Sequence, residues 1–253
     1  MAALSRLIIA AAGGFGRELA AYARDAGFDV VGFLDDDPSA AESLAGADRA
    51  AGVRGGVGSY ERQGDELVAI GVGDPGARVK IGEALLARGA QLATVVHPSA
   101  WVAPTASLGA GVAVAPFACI GPGVYVGELS MLNTYASLGH DATLGRGCVL
   151  ASYAVATGHA TLGDGAFLAS HAVVSPGTTV GARARVSAGA LEGLLRRAHR
   201  AVDVFGPGDG DRRPRLPRRR VQGFERLARG SVDFLASDVQ AVALHRLPFR
   251  SGS

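Results

Sequence analysis

An aliphatic side chain recurs at every sixth position through the middle of this chain. Fifteen positions share the spacing, and fourteen of them are Val, Ile or Leu. The positions are Val102, Leu108, Val114, Ile120, Val126, Leu132, Leu138, Leu144, Leu150, Ala156, Leu162, Leu168, Val174, Val180 and Val186. A helix buries residues three and four apart and a flat strand buries every second residue, so neither explains a period of six. Short strands separated by corners do, and the repeat predicts a parallel β-helix.

Glycine often follows the aliphatic residue directly. It does so at Gly109, Gly121, Gly127, Gly139, Gly145, Gly163 and Gly181. Because glycine enters positive-φ conformations that other residues avoid, we expect these glycines to adopt that conformation at the corners.

This repeat resembles the left-handed β-helix of hexapeptide acyltransferases, in which three hexapeptides complete one triangular coil. The resemblance implies the left-handed turn and about five coils for the fifteen repeats. Residues three repeats apart then become vertical neighbours, about 4.8 Å from each other.

The chain begins with a pattern of strand, glycine turn, helix and strand. Residues 7–10 and 30–34 predict the two strands, and residues 17–26 predict the helix between them. The turn, Ala11-Ala12-Gly13-Gly14-Phe15-Gly16, brings backbone N–H groups toward a phosphate, while Asp35 and Asp36 after the second strand suit a ribose hydroxyl or a base. Ala11 stands where a dinucleotide fingerprint has its first glycine, and a tight turn that only starts the helix explains the segment equally well.

The rest of the first 96 residues predicts a small open parallel sheet. Residues 39–66 indicate a helix and loops, residues 66–71 a third strand, and residues 93–96 a fourth. A helix is predicted over residues 78–88, with Ile81, Ala84 and Leu85 on one face. We therefore predict an α/β domain at residues 1–96, a β-helix at 97–190 and an atypical tail at 191–253.

Composition limits the class of protein and its surroundings. Hydrophobic residues make up 48% of the 253, but the apolar runs are too short and too rich in glycine to span a bilayer. The first residues lack the basic segment of a signal peptide. The two cysteines, Cys119 and Cys148, do not indicate a disulfide framework, so we expect a reducing, cytoplasmic location.

Residues 191–253 differ from the rest in charge and periodicity. They hold 13 of the 25 Lys and Arg residues but only 7 of the 23 Asp and Glu residues. A solvated tail explains this charge better than nucleic-acid binding does, so no nucleic acid is expected as a partner. Helical segments are predicted from Leu191 to Val204 and within residues 223–247. Either the chain carries a distinct C-terminal extension, or its reading frame shifted after Ala190.

The two predicted domains together resemble the sugar acetyltransferases that N-acetylate a 4-amino group on nucleotide-linked deoxysugars, as in the bacillosamine pathway. The sialic acid O-acetyltransferases share this architecture. The matching segments lie within residues 5–190 and are Gly13-Gly14-Phe15-Gly16, Gly32-Phe33-Leu34-Asp35-Asp36-Asp37, Ala69-Ile70-Gly71 with Arg78, His97-Pro98-Ser99-Ala100, and Asn133-Thr134 leading to Gly139-His140-Asp141. The C-terminal cofactor motif usual in such enzymes does not follow Ala190.

Acetyl transfer to an amine needs a group that accepts the amine proton, and histidine suits this role near neutral pH. His140 follows an inward leucine by two residues, so we expect its ring to point outward, and Asp141 is placed to orient it. The resemblance implies the same roles, catalytic base and partner. Gly158, one coil above, would leave room over the imidazole for a pantetheine arm, and its N–H or one of a neighbouring coil suits the acetyl oxygen. His159 would then lie over Asp141, touching that carboxylate or the cofactor.

The resemblance places the nucleotide on Gly13, Gly14, Phe15, Asp35 and Asp36, although core packing explains Phe15 as well. It places Asn133 near the sugar, although a corner turn explains that residue equally well.

Metal and thiol chemistry fit the sequence poorly. His140, His159 and His171 lack the spacing of metal ligands, and no metal is expected. Nothing near Cys148 would lower its pKa, so it is not expected to be a nucleophile.

We therefore expect a homotrimeric, acetyl-CoA-dependent N-acetyltransferase acting on a nucleotide-linked 4-amino-4,6-dideoxysugar in glycan biosynthesis. The alternatives are a sialic-acid-type O-acetyltransferase and a non-catalytic β-helix that binds sugar nucleotides.

Overall fold

A computed structural model of the protein describes residues 4–193. The first part is a four-stranded parallel sheet in the order β2-β1-β3-β4. Its strands are Arg6–Ala10 (β1), Asp29–Leu34 (β2), Leu67–Ile70 (β3) and Gln91–Leu92 (β4). Its helices are Gly14–Asp25 (α1), Gly46–Ala51 (α2) and Pro75–Leu86 (α3), with 3₁₀ turns at Ala40–Ser43 and Val57–Ser59. None of the helices within residues 4–193 has both the length and the apolar character needed to cross a membrane.

The second part is a left-handed parallel β-helix built from strands of two residues each, which confirms the predicted fold class. Three sheets of five, six and six strands form its sides. The strands are Val95–Val96 (β5), Trp101–Val102 (β6), Ser107–Leu108 (β7), Ala113–Val114 (β8), Cys119–Ile120 (β9), Tyr125–Val126 (β10), Met131–Leu132 (β11), Ser137–Leu138 (β12), Thr143–Leu144 (β13), Val149–Leu150 (β14), Val155–Ala156 (β15), Thr161–Leu162 (β16), Phe167–Leu168 (β17), Val173–Val174 (β18), Thr179–Val180 (β19), Arg185–Val186 (β20) and Leu191–Glu192 (β21).

Each strand from β6 to β20 ends on one of the predicted aliphatic residues. These residues point into the triangular prism that the three sheets enclose. Paired residues are separated by three repeats, as in Ser137 with Val155 and Leu138 with Ala156. The interior is completed by small residues two positions before the aliphatic ones, such as Ala118, Ala136 and Ala154. These small residues let the three sides of a narrow prism approach one another closely.

The prediction of positive φ at the glycines that follow the aliphatic residues is wrong. Positive φ does not fall on the residue after the aliphatic one but two residues later, at every sixth position from Gly111 to Gly189. Eight of these corner residues are not glycine: Phe117, Leu129, Tyr135, Asp141, Tyr153, His159, His171 and Arg183. Six of the seven glycines after the aliphatic residues instead permit close contact between coils; at Gly139, for example, a Cβ would lie 2.5 Å from the Gly158 nitrogen. Gly181 is the exception, since a Cβ there meets nothing within 4 Å.

Several predicted boundaries in the first part also shift. Val95–Val96 is not the fourth strand of the small sheet, because it pairs with β8 of the β-helix while Gln91–Leu92 pairs with β3. The third helix buries Pro75, Arg78, Gly82 and Leu85, and Ala84 on the predicted face is exposed. Leu191–Glu192 pairs with β18 and does not begin a helix. The remaining predictions for the tail concern residues 194–253, which lie outside the described residues.

Apolar packing joins the small sheet to one side of the β-helix. Leu7, Phe33 and Leu19 share a core with the outward side chains of Met131 and Val149. On the same side, the Tyr22 ring of α1 meets the His97 ring edge-on at 5.8 Å. His97 also contacts Asp25 at 3.1 Å, so its ring joins α1 to the start of the β-helix.

A buried arginine fastens α3 to the β-helix. Arg78 is fully buried, and its guanidinium donates to the carbonyl oxygens of Ile70, Val72 and Leu129 at 2.8 to 2.9 Å. The carbonyl of Gly111 lies at 3.5 Å. Burial lowers the pKa of Arg78 to about 9, which leaves the side chain charged at neutral pH. One residue therefore satisfies backbone groups from both parts of the structure.

Candidate active site

His140 lies at a corner of the β-helix with its ring directed outward, as predicted. The side chain is 60% exposed. Its Nδ1 lies 2.9 Å from Asp141 Oδ2, which fits an Nδ1–H that donates to the carboxylate. That bond leaves Nε2 with its lone pair free, and among the described residues Nε2 has no hydrogen-bond partner. An exposed imidazole with one nitrogen held and the other open has the form of a general base.

Gly158 stands directly over this ring. A Cβ built on Gly158 would lie 2.6 Å from His140 Nε2 and 2.9 Å from Cε1. The imidazole itself therefore fills the space that we expected to hold a pantetheine arm. The Gly158 N–H makes no hydrogen bond within residues 4–193, so it can donate to a substrate oxygen.

His159 completes the cluster. Its Nε2 lies 3.8 Å from Asp141 Oδ2, and its ring meets the His140 ring edge-on with centroids 4.9 Å apart. The predicted contact between His159 and the Asp141 carboxylate is present. The ligand atoms of His140, Asp141 and His159 lie within 4.8 Å of one another, which is close enough for one cation. His171 does not join them, because its ring stacks on Tyr153 at another corner.

The glycine turn lies at the carboxyl end of β1. Ala11 takes the place of the missing glycine by adopting a φ of 93°. Helix α1 begins at Gly14, so the N–H groups of Gly14, Phe15 and Gly16 have no partner inside the helix. Gly13 and Gly14 are exposed, and these N–H groups with the helix N-terminus suit an anion such as phosphate. Phe15 packs against the core, as its alternative explanation predicted.

The two aspartates hold the loops around this turn. Asp35 accepts hydrogen bonds from the N–H groups of Ala12 and Asp37 at 2.8 and 2.9 Å. Asp36 Oδ1 accepts from Val57 N–H at 2.8 Å, and its other oxygen has no partner within the described part of the chain. Asp35 is thus occupied by the backbone, while Asp36 keeps one oxygen for a ligand.

Asn133 lies at a different corner from His140. Its Oδ1 accepts from Thr134 N–H at 2.7 Å, which fits the turn explanation. No hydrogen bond or ion pair among residues 4–193 joins Asn133 or the glycine turn to His140. The structure therefore forms two separate groups, with His140, Asp141, Gly158 and His159 in one, and Gly13, Gly14, Phe15, Asp35 and Asp36 in the other.

Cys148 is unsuited to act as a nucleophile. Both cysteines are free, with Cys119 exposed and Cys148 buried. Burial raises the pKa of Cys148 to about 11, so its thiol stays protonated at neutral pH.

Nothing in the sequence indicates that Arg78 links the two parts, although Arg78 lies in one of the segments that match the sugar acetyltransferases. The sequence-based predictions also omitted a stack of exposed rings, Phe117, Tyr135, Tyr153 and His171, with neighbouring centroids 4.8 to 5.1 Å apart. The three-repeat spacing would have revealed the stack, since these residues occupy one corner of successive coils.

Comparison with known proteins places this architecture among sugar acetyltransferases. Residues 6–85 match the family model of the PglD N-terminal domain. A histidine-to-asparagine variant of perosamine N-acetyltransferase from Caulobacter crescentus, solved with CoA and GDP-perosamine, is 31% identical to this chain. The match covers 75% of this chain and 89% of that chain, with a TM-score of 0.68.

Two further solved structures extend the comparison. The acetyltransferase domain of PglB from Neisseria gonorrhoeae, in complex with acetyl coenzyme A, is 25% identical over 75% of this chain and 93% of that chain, with a TM-score of 0.67. WeeI from Acinetobacter baumannii is 21% identical over 75% and 95% of the two chains, with a TM-score of 0.56, and shows the fold alone. A comparison of the sequence with curated proteins finds no match.

Proposed function

Because the chain belongs to the family of acetyl-CoA-dependent nucleotide-sugar acetyltransferases with a left-handed β-helix, we propose that it acetylates the 4-amino group of a nucleotide-linked 4-amino-4,6-dideoxysugar. The observation that carries this proposal is the free Nε2 of His140, held open by the bond from Nδ1 to Asp141. The likeness to perosamine N-acetyltransferase, a structure that contains CoA and GDP-perosamine, supports the classes of both substrates.

In the reaction, the amine nitrogen attacks the thioester carbonyl while His140 Nε2 accepts a proton from that nitrogen. The new C–N bond forms, the C–S bond breaks, and the proton passes to the departing thiolate, giving an amide and CoA. Asp141 stabilises the imidazolium that exists between these transfers. The free N–H of Gly158 donates to the carbonyl oxygen as negative charge develops there.

The nucleotide sugar binds at the glycine turn of residues 1–96, and acetyl transfer takes place on residues 97–190. The N–H groups that begin α1 hold the diphosphate, Asp36 bonds the ribose or the base, and Asn133 lies near the sugar. Within residues 4–193, no hydrogen bond or ion pair joins the glycine turn to His140, which is compatible with a site completed by a second chain. The proposed enzyme is a cytoplasmic homotrimer in which acetyl-CoA lies between neighbouring β-helices and two chains form each site.

The substrate class is tested by CoA release with a panel of amino sugars linked to UDP, dTDP or GDP. We expect release with at least one nucleotide-linked 4-amino sugar and an amide in the product by NMR. Sialic acid tested in parallel provides the hydroxyl acceptor. Release with sialic acid alone would assign O-acetylation to this chain, and release with no acceptor would contradict the proposed activity.

The glycine above the base provides a steric test. Gly158→Ala places a methyl group 2.6 Å from the position of His140 Nε2, so the ring must move away from its orientation against Asp141. We expect kcat to fall about tenfold or more, since a misplaced base loses its alignment with the amine. The control cannot be a corner glycine such as Gly177, because a side chain would strain its backbone, which has a φ of 66°. Gly181→Ala, where a Cβ meets nothing within 4 Å, serves instead and should match the wild type. Equal rates for both variants would contradict the proposed position of the base.

A further inference from the structure

One oxygen of the Asp141 carboxylate faces two imidazoles. Asp141 Oδ2 lies 2.9 Å from His140 Nδ1 and 3.8 Å from His159 Nε2. The other oxygen, Oδ1, lies above Gly123, where an added Cβ would approach it to 2.5 Å. The carboxylate is thus held between a glycine of the coil below and a histidine of the coil above.

The backbone fixes this arrangement. Asp141 and His159 occupy the same corner of successive coils, with φ of 58° and 59°. The His159 N–H donates to the His140 carbonyl at 2.9 Å, which sets the distance between the two corners. The two rings meet at 89°, so the edge of one ring packs against the face of the other.

The neighbouring corners supply no competing charge. The coil below presents Gly121, Pro122 and Gly123, and the coil above His159 presents Ser175, Pro176 and Gly177. Among the described residues, the only basic side chains that contact the Asp141 carboxylate are those of His140 and His159. The position of that carboxylate therefore depends on these two rings.

We propose that His159 is a positioning residue for the acetyl transfer described above, acting on the base through Asp141. This inference rests on the proposed function. By attracting the upper carboxylate oxygen, His159 holds Asp141 in the rotamer that accepts the His140 Nδ1–H bond. The His140 tautomer with a free Nε2 then predominates before substrate arrives. Without His159, the exposed carboxylate turns partly toward water, and His140 spends less time in the reactive orientation.

Two substitutions separate the polar contact from ring packing. His159→Phe keeps an aromatic ring but removes the nitrogen that faces Asp141. His159→Gln removes the ring but keeps an N–H donor at a similar reach. The control is His171→Gln, which alters an exposed β-helix histidine that stacks on Tyr153 and does not contact the cluster.

We expect His159→Phe to lower kcat about fivefold, the upper end of what one exposed side-chain contact contributes, with the KM of both substrates within about twofold of wild type. His159→Gln should keep most of the wild-type kcat, and His171→Gln all of it. A wild-type kcat for His159→Phe would overturn the inference, as would equal losses in the Phe and Gln variants. A raised KM for acetyl-CoA at unchanged kcat would instead make His159 a co-substrate contact and would also overturn it.

A second readout needs no turnover. In ¹⁵N spectra of the wild-type chain near pH 8, the His140 ring should show one predominant tautomer, protonated at Nδ1. In His159→Phe its two nitrogen shifts should move toward each other as the tautomers mix. Unchanged shifts would overturn the positioning role. If the wild type released no CoA with any acceptor, the proposed function would fail, while this spectrum would still show whether His159 sets the tautomer of His140.

Discussion

His140→Asn is expected to lower kcat about 10²- to 10⁴-fold, the usual range for the loss of a general base. Asparagine keeps a polar group at the corner but has no lone pair basic enough to take the amine proton. The side chain is 60% exposed, so the substitution should leave the fold intact. The measurement is steady-state CoA release with a nucleotide-linked amino sugar, together with thermal unfolding of both proteins.

The KM values in this experiment separate catalysis from binding. Because a base acts in the transition state, the KM of both substrates should stay within about threefold of wild type. His171→Asn is the matched control, since it alters another exposed histidine of the β-helix. A non-catalytic sugar-nucleotide binder would show no change of rate at His140, and that result would remove the residue from the mechanism.

Arg78→Met is expected to destabilise the protein by about 3 kcal/mol or more. Methionine fills much of the volume but leaves the carbonyls of Ile70, Val72 and Leu129 without their donor, each at a cost of about 1–3 kcal/mol when buried. Because these groups belong to both parts of the structure, the two should loosen together. Urea unfolding followed by circular dichroism measures the loss.

The control for this substitution is Arg88→Met, just beyond the end of α3. Arg88 is exposed and makes one long bond, at 3.4 Å, to the Tyr60 carbonyl. Its replacement should cost less than about 1 kcal/mol, as most surface changes do. Equal unfolding midpoints for the Arg78 and Arg88 variants would show that the buried guanidinium contributes little to holding α3 against the β-helix.

The β-helix could be predicted from sequence because each hexapeptide repeat contains the aliphatic residue that it buries. An inward aliphatic residue at every sixth position leaves few other structures, and the strands from β6 to β20 end on these residues. The same register predicted that His159 lies over Asp141, since the two residues are three repeats apart. Local side-chain chemistry at a fixed spacing was enough for both conclusions.

The corner backbone could not be predicted in the same way. Glycine after the aliphatic residue suggested positive φ there, but that conformation falls on residues such as Tyr135, Asp141 and His159. Repeated contacts between coils impose a left-handed conformation that these residues rarely adopt alone. All of these glycines except Gly181 are needed for space against the coil above, which depends on atoms distant in sequence.

The limits of the small sheet also depend on tertiary contacts. Val95–Val96 has the β-branched composition of a strand in either part, and only its pairing with β8 assigns it to the β-helix. Arg78 looks like a surface residue of a helix until its carbonyl partners, up to 51 positions away, are known. Long-range partners of this kind leave no local mark on the sequence.

A crystal structure of the full chain with CoA and a nucleotide-linked 4-amino sugar tests the central claim most directly. The account predicts that the sulfur of CoA and the amine nitrogen of the sugar meet at His140 Nε2, in a crevice between two copies of the chain, with the nucleotide at a glycine turn. A complex in which CoA and the amine lie away from His140, or in which that corner faces open solvent in the assembly, would contradict it.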